Sequence, residues 1–533
     1  MAHSPLKRIL ASVMDVARLR NEHGVSTEAA LALQHERRQL LKMSAAGSVA
    51  MLASSPLLSA AATLGSGGSK GSRGSNVRVV VVGAGLGGLA CAYELKKAGL
   101  SATVYEASDR LGGRCFSNTT SFPGQVAENG GELIDTGHVE LRKLAAELGL
   151  TLDDLAAYDK EQGGAMTFWI GGERYTYEQQ VNDFAAVAGQ FDADNRAAPW
   201  PQTYDKHTQR GLELDHMSST DYISRYVPGG LGSKLGQLFK LLMDTSAGIA
   251  ATEASALNLV GFFAEDGSDE RFHIRGGNDQ LVSGMAARLD SSQIVKGHAL
   301  TRLVRNGDNS YTLTFSNTVS NTVSNTSGSV NVVADHVVLA LPFSILQSAV
   351  DYSNAGFDSM KVATIRNFRM GMHAKFQMQF KRRIWREQGY TGLTDNDTGY
   401  QISWEVTRAQ PGAEGILTCF SGDKVALAMN DKPTDQKAAD ALNGLDLLFP
   451  GIKPLWNGRA LLNYWPGYEW TKGAYSAHPM GSLTSYHGYQ GVRQGNCHFA
   501  GEHTSVKHAG FLNGAVESGQ RCASAIILAL SGK

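Results

Sequence analysis

The chain has 533 residues, enough for two or three domains, and its 42% hydrophobic and 19% charged residues are typical of a soluble folded protein. Because 49 Lys and Arg residues nearly balance 50 Asp and Glu residues, the formal net charge is −1, and no basic excess is available to neutralise a nucleic-acid backbone. Five scattered cysteines without a Cys-x-x-Cys spacing argue against a disulfide framework and a zinc site, so no metal is expected.

The first 76 residues differ in composition from the rest. The pair Arg37-Arg38 precedes a short, weakly apolar run at 43–58, which is followed by small residues. This order is typical of a twin-arginine export signal, so we expect a signal segment at 1–62, a Gly/Ser linker at 63–76, and a periplasmic or secreted protein. The run is too short and too polar for a stable membrane anchor. Because the arginines lie far along the chain, a poorly ordered leader on a cytoplasmic protein is the alternative.

The folded part is expected to begin with a strand, a glycine-rich turn, a helix and a second strand. Residues 77–82 form a nearly continuous β-branched run, GAGLGG follows at 83–88, a helical pattern covers 89–98, and the second strand ends in Glu106. In a dinucleotide-binding unit such glycines allow a tight turn, close approach to a pyrophosphate and close helix packing, and the acid binds a ribose. The expected cofactor contacts in this turn are Gly83, Gly85, Leu86 and Gly88.

Three further motifs indicate which cofactor is bound. DRLGGR at 109–114 and ENGGE at 128–132 follow the first unit, and GEHTSVKHAGFLNGAVESG occupies 501–519. With these motifs, the sequence from Val77 onward resembles the flavin amine oxidase family. Within that family, its overall sequence pattern is most similar to the bacterial FAD-dependent L-amino acid oxidases. The resemblance implies that FAD is held, beyond the first turn, by Glu106, Ala107, Arg110, Gly113, Arg114, Gly130, Gly131, Glu132, Val295, Gly501, Glu502, Gly510, Phe511 and Leu512.

The resemblance implies an α/β fold with α+β elements. In it, an FAD domain of the two-dinucleotide-binding type, with a parallel central sheet, is interleaved with a mixed-sheet substrate domain and a helical insertion. The expected segments are 77–134, 268–345 and 486–533 for the FAD domain, 135–267 for a mostly helical insertion at the entrance, and 346–485 for the substrate-binding domain.

The resemblance also implies a substrate site between two aromatic walls. Tyr475 is one wall, and Phe511, directly after Gly510, is the other. Trp404 is a further catalytic-pocket candidate, although core packing explains a tryptophan there equally well. Mitochondrial monoamine oxidases have their flavin-bonding cysteine where this chain has Ala474, and alanine cannot form a thioether, so the FAD is expected to be non-covalent.

Two departures from the family pattern affect the expected chemistry. Many members carry a lysine near the flavin N5; no lysine follows the corresponding strand here, and Gln347 is expected to take its place, which puts oxygen reactivity in question. Snake-venom L-amino acid oxidases have a carboxylate-binding arginine directly after the glycine beside the flavin, whereas Gly131 is followed by Glu132. The candidates elsewhere for binding a carboxylate are Arg275 and Lys375.

The predicted activity is oxidative deamination of L-amino acids to 2-oxo acids, ammonia and hydrogen peroxide, with hydride transfer from the α-carbon to flavin N5. A primary amine or polyamine oxidase of the same fold is an alternative, favoured by the missing arginine. An amino-acid dehydrogenase with another electron acceptor is a second, favoured by Gln347, and a non-catalytic flavoprotein is a third. The expected partners are a small amino acid or amine and dioxygen, and a homodimer remains open.

Overall fold

The computed structural model describes residues 6–37, 77–264, 268–318 and 328–531; the apolar run at 43–58 and the Gly/Ser stretch at 63–76 lie outside them. The strands are β1 (Val79–Val82), β2 (Ala102–Tyr105), β3 (Ser117–Asn118), β4 (Ala127–Glu128), β5 (Leu152–Asp154), β6 (Ala165–Ile170), β7 (Glu173–Arg174), β8 (Phe272–Ile274), β9 (Ile294–Val295), β10 (His298–Arg305), β11 (Tyr311–Asn317), β12 (Ser329–Ala334), β13 (His336–Leu339), β14 (Asp351–Asn354), β15 (Arg369–Met370), β16 (His373–Phe380), β17 (Tyr390–Asn396), β18 (Ile402–Glu405), β19 (Gly415–Gly422), β20 (Trp456–Tyr464), β21 (Ser476–Ala477) and β22 (Cys497–Phe499). The helices are α1 (Leu6–His23), α2 (27–37), α3 (Leu86–Lys97), α4 (Val139–Glu147), α5 (Leu155–Gln162), α6 (Tyr177–Ala197), α7 (Gln209–Asp215), α8 (Ser219–Tyr226), α9 (Lys234–Ala247), α10 (Ala256–Phe262), α11 (Gln280–Ala286), α12 (Phe343–Ala349), α13 (Ser359–Arg366), α14 (Ile384–Glu387), α15 (Asp423–Ala428), α16 (Thr434–Leu448), α17 (Ser482–Tyr486) and α18 (Leu512–Ser531).

A five-stranded parallel sheet is the centre of the first domain. Its order is β22, β13, β1, β2, β9, and the strands come from three separate parts of the chain, as an interleaved fold requires. Val79 and Val81 pack among helices α3 and α18 on one face, and Val80 and Val82 pack against the sheet β12, β11, β10, β14 on the other. Burial on both faces explains the unbroken run of valines. The predicted α/β class is confirmed.

A seven-stranded mixed sheet forms the second domain, in the order β20, β16, β19, β18, β17, β6, β7. Strands β6 and β7, at 165–174, belong to this sheet although they lie within the segment expected to be mostly helical. Strand β16 is buried along its whole length. Phe376, Met378 and Phe380 pack in the apolar core beneath α16, and the polar residues of the strand face the first domain.

Helices α6 to α10 form the insertion. Its core is a group of phenylalanine rings in edge-on contact, Phe184, Phe191, Phe239 and Phe263, whose centroids lie 5.3–5.7 Å apart. Helix α1 and the first turn of α2 pack into the same apolar cluster. None of the helices in the described ranges combines the length and the apolarity that crossing a bilayer requires.

Helices α3 and α18 pack in very close contact. A Cβ added at Gly519 would lie 2.2 Å from the carbonyl oxygen of Gly87, so a larger residue at 519 would push the helices apart. This contact brings the C-terminal motif, 501–519, to the first glycine-rich turn. The two glycine-rich stretches, which lie more than 400 residues apart in the sequence, therefore border one space.

Candidate active site

A cavity of about 810 Å³ lies at the carboxyl ends of β1 and β2 and extends to the mixed sheet. Ligands of open parallel sheets bind at this edge. All the residues predicted to contact cofactor or substrate line the cavity except Gly88, Val295, Arg275 and Gln347. The residues that do so are Gly83, Gly85, Leu86, Glu106, Ala107, Arg110, Gly113, Arg114, Gly130, Gly131, Glu132, Lys375, Trp404, Tyr475, Gly501, Glu502, Gly510, Phe511 and Leu512.

The first turn is built from glycines for two different reasons. Gly83 has a φ of +101°, and a Cβ there would lie 2.8 Å from the carbonyl oxygen of Ala340. Gly88 does not line the cavity, because it faces back into the turn, where a Cβ would lie 2.0 Å from the carbonyl oxygen of Gly83. Gly88 therefore keeps helix α3 close to the strand, and Gly83 shapes the cavity wall.

Glu106 ends β2 with its carboxylate held in place. It accepts hydrogen bonds from the backbone N–H of Ala84 (2.7 Å) and from the N–H (3.0 Å) and hydroxyl (2.9 Å) of Ser108. Val295 was expected to contact the cofactor, and the structure corrects this, because Val295 does not line the cavity. It pairs with Tyr105 in the sheet, and its carbonyl oxygen accepts the Glu106 N–H at 2.9 Å. The wall beside Glu106 comes instead from residues missed in the sequence: His298, Ala299, Leu300 and Thr301 of β10 and Ser316 of β11.

Arg114 and Glu502 form an ion pair on the cavity wall, with Nη1 2.5 Å from Oε1. The carboxylate of Glu502 also accepts from the N–H and hydroxyl of Ser476 and from the N–H of Gly510, at 2.6–3.1 Å. Burial opposes ionisation of Glu502, but Arg114 and these donors outweigh it and lower its pKa to about 2. Glu502, expected to accept from a cofactor hydroxyl, thus already has protein donors on both oxygens.

Glu132, Lys375 and Trp404 form a buried network at the mixed-sheet end. Lys375 donates to Glu132 at 2.9 Å and to the carbonyl oxygens of Gly130 (2.8 Å) and Glu128 (3.1 Å), which engages all three of its N–H donors. The indole N–H of Trp404 donates to the other oxygen of Glu132 at 2.9 Å. Burial raises the pKa of Glu132, and the opposing effects of Lys375 and Trp404 leave it below its ordinary value.

A row of three stacked rings forms the wall that includes Tyr475. The ring of His373 lies 4.5 Å from that of Tyr475 and 5.1 Å from that of Phe420, nearly parallel to both. The Tyr475 hydroxyl donates to the carbonyl oxygen of Ser246 at 2.9 Å. Burial lowers the pKa of His373 to about 4, while its two ring nitrogens lie within hydrogen-bond distance of the carbonyl oxygens of Ala474 and Thr245, which oppose that shift.

Phe511 lies in the cavity wall formed by the start of α18. Its ring meets the buried ring of His138 edge-on, with the centroids 4.8 Å apart. Leu512, the next residue, fills the space that Gly131 leaves open, since a Cβ at Gly131 would lie 2.7 Å from the Leu512 Cδ2. The absence of a side chain at Gly131 thus leaves room for the Leu512 side chain in this position.

Two of the polar candidates lie away from the cavity. The expectation that Gln347 occupies the site is wrong: its exposed side chain donates to the carbonyl oxygens of Ile365, Arg366 and Phe368 at 2.6–3.2 Å. The side chain of Arg275 is 69% exposed and pairs with Asp153. Lys375 is the candidate that reaches the site.

The chain matches the sequence model of the family of flavin containing amine oxidoreductases over residues 86–527. It belongs to this family. The "putative flavin-containing monoamine oxidase AofH" of Mycobacterium tuberculosis is 26% identical over 84% of this chain and 96% of the relative, and the "putative L-amino-acid oxidase YobN" of Bacillus subtilis is 24% identical over 84% and 93%. The structure of cyclohexylamine oxidase from Brevibacterium oxydans has a TM-score of 0.73 at 21% identity, over 85% of this chain and 99% of that one, which shows the shared fold.

The flavin amine oxidoreductases use FAD, and the cavity fits this cofactor. Gly85, the residue that precedes helix α3 at its N-terminus, lines the cavity without a side chain, as a pyrophosphate next to a helix N-terminus requires. Glu106 lies at the end of β2, in position for a ribose. Of the five cysteines, all in the described part, Cys115 alone lines the cavity; its thiol donates to a backbone carbonyl, and burial raises its pKa well above the ordinary value. The chain is an FAD-dependent amine oxidoreductase.

Proposed function

We propose that this amine oxidoreductase removes a hydride from the carbon that bears an amino group and passes the electrons to dioxygen, with L-amino acids as the substrate class. FAD supplies the hydride acceptor. The observation that supports the proposal is an apolar chamber lined by Tyr475, Phe420 and Phe511, in the same cavity as the buried Lys375 and the residues that fit the cofactor. Such walls exclude water from a neutral amine and orient its C–H bond.

Lys375 supports dioxygen as the electron acceptor. The dehydrogenase alternative was based on the absence of a lysine, with Gln347 in its place, and Lys375 removes that reason because its amino group lies in the cavity wall. We infer that Lys375 takes the position that the family resemblance gives to a lysine near the flavin; to hold a water molecule there, its amino group would have to release one of its three protein acceptors. A cation at this position would also favour the negative charge that develops when reduced oxygen species form.

Amines without a carboxylate are a second substrate class, favoured by the charges in the chamber. The three N–H donors of Lys375 are all engaged, and its charge is matched by Glu132. A bound α-carboxylate would therefore add a buried negative charge without a matching cation among these residues, whereas a neutral amine would not. The relatives named above include both an amine-type and an amino-acid-type oxidase.

Anaerobic bleaching of the flavin separates the two classes. The purified protein is mixed without oxygen with each of the twenty L-amino acids and with benzylamine, phenethylamine, cyclohexylamine and putrescine. Loss of the flavin absorbance with an amino acid, but not with its decarboxylated counterpart, supports the first class; the reverse supports the second. A flavin that none of them bleaches would contradict both. Admitting air should then restore the absorbance and release hydrogen peroxide, and a reduced flavin that persists in air would contradict the proposed acceptor.

A further inference from the structure

Helix α1 has a fully buried apolar face. Six of its residues between positions 10 and 19 are at most 6% exposed; those at 10, 13, 14 and 17 have the spacing of one side of a helix, and those at 16 and 19 widen the buried surface to more than half of the circumference. They belong to the same apolar cluster as Phe184 and Phe191 of α6. The members of this face are Leu10, Val13, Met14, Val16, Ala17 and Leu19.

Polar contacts at the rim of this interface fix the position of α1 on α6. Arg18 donates from Nη2 and Nε to one carboxylate oxygen of Asp192, at 2.6 and 2.9 Å. The side chain of Asn21 donates to the carbonyl oxygen of Ala185 at 2.7 Å. An ion pair and a side-chain amide hydrogen bond thus fix the position of α1 along α6.

Helix α2 folds back onto α1. Gln34 is 6% exposed; it donates to the carbonyl oxygen of Ser12 at 3.1 Å and accepts from the Ser12 hydroxyl at 3.3 Å. Ala30 is fully buried in the same cluster. The two helices, residues 6–37, therefore form one pair packed on the insertion, and we call them the N-terminal pair.

We propose that the N-terminal pair is a permanent part of the working enzyme, bound to the insertion, and is not lost with a leader. Cleavage after residue 62, as a twin-arginine signal would require, would remove the pair from the chain. The apolar surface around Phe184 and Phe191 would then face water, together with an unpaired Asp192. We expect the buried apolar face of α1, together with the Arg18–Asp192 ion pair, to keep the pair attached after the chain is cut.

A cut in the full-length protein tests this. A specific protease site is inserted into the Gly/Ser stretch at 63–76, the flavin-bound protein is cut to completion as judged on a denaturing gel, and the product is passed through a gel-filtration column. We expect the N-terminal fragment to elute with the body and to be found there by mass spectrometry, including in 1 M NaCl, because the interface is mainly apolar. A body that elutes without the fragment and keeps its flavin and melting temperature would overturn the proposal.

Two matched variants of the uncut protein test the same contact without a protease. Met14→Asp places a charge in the buried face of α1, and Leu31→Asp places one on α2 at a position that is 38% exposed. We expect Met14→Asp to lower the melting temperature by about 3 °C or more and Leu31→Asp to leave it within about 1 °C. Equal melting temperatures for both variants and the parent would overturn the proposal. So would a purified, exported enzyme whose intact mass lacks residues 1–62 and whose melting temperature equals that of the full chain.

Discussion

At the scale of single residues, the buried ion pair of Lys375 and Glu132 should affect the free energy of unfolding most strongly when only one partner is removed. Lys375→Met should leave the Glu132 carboxylate buried without its cation, at a cost of about 3–5 kcal/mol in the free energy of unfolding. Adding Glu132→Gln removes the unpaired charge, so the double variant should recover most of this loss. Denaturant unfolding of the parent, both single variants and the double variant measures the coupling. A double variant no more stable than Lys375→Met would show that the pair does not act as a unit.

Ala474 leads to a second prediction at this scale. It lines the cavity and has no group that can bond the flavin, and the Cys115 thiol is held by the carbonyl oxygen of Asn278 at 3.4 Å. Precipitating the yellow protein with acid should therefore release all of the flavin into the supernatant. A monoamine oxidase with covalent flavin, treated in parallel, provides the control. A yellow pellet from this chain would mean that another side chain bonds the cofactor.

At the scale of elements, the contact between α3 and the first turn determines whether FAD can bind. Gly88→Ala would place a Cβ 2.0 Å from the backbone oxygen of Gly83, and backbone atoms cannot move aside as a flexible side chain can. We expect a lower melting temperature and purified protein that has lost most of its flavin, measured by the absorbance ratio at 450 and 280 nm.

Gly189→Ala is the matched control, because it is the same substitution on a helix, α6, and a Cβ there meets nothing within 4 Å. It should bind FAD normally and gain up to about 1 kcal/mol of stability, since alanine is the better helix former. If Gly88→Ala retained its flavin as fully as Gly189→Ala, the packing role assigned to Gly88 would be wrong.

The elements also show why some residues of the site could be placed from the sequence and the surroundings of others could not. The first turn, β2 and the C-terminal motif are continuous stretches whose glycines and acids have a local reason to be there. Strand β16 has an alternating pattern that indicates one face in water, yet Lys375, Gln377 and Gln379 face the backbone and side chains of 125–130. A burial that depends on another domain leaves no sign in the strand itself.

Gln347 is a residue whose position sequence spacing predicts wrongly. Its distance along the chain from a strand predicts a place at the site, but Gln347 lies on the outer side of α12, while Ile345 of the same helix lines the cavity. The side of a short helix that faces a ligand depends on how the helix is docked. Sequence spacing therefore identified an element that borders the cavity but the wrong residue, and the cation at the site comes from another element, β16.

At the scale of the whole molecule, the Glu502 carboxylate connects segments of different domains, so the stability of the fold should depend on its ionisation and therefore on pH. Glu502 links Arg114 of the motif at 109–114 to Ser476 of β21, and its pKa falls from the ordinary 4.5 to about 2 in the folded protein. Because the folded-state pKa is the lower one, the stabilisation is fully present above about pH 4.5. It is lost as the pH falls towards 2, since below that value both states bind the proton.

The expected loss from Glu502 is about 3 kcal/mol of unfolding free energy between pH 5 and pH 2. Denaturant unfolding across this range, for the parent and for Glu502→Gln, measures it. The variant lacks the titrating group, so it should be less stable than the parent at pH 5, and its stability should fall less steeply with acid. The difference between the two curves isolates Glu502 from the other carboxylates, which titrate in both proteins. Curves that fall in parallel would mean that the Arg114–Glu502 contact does not hold the domains together through its charge.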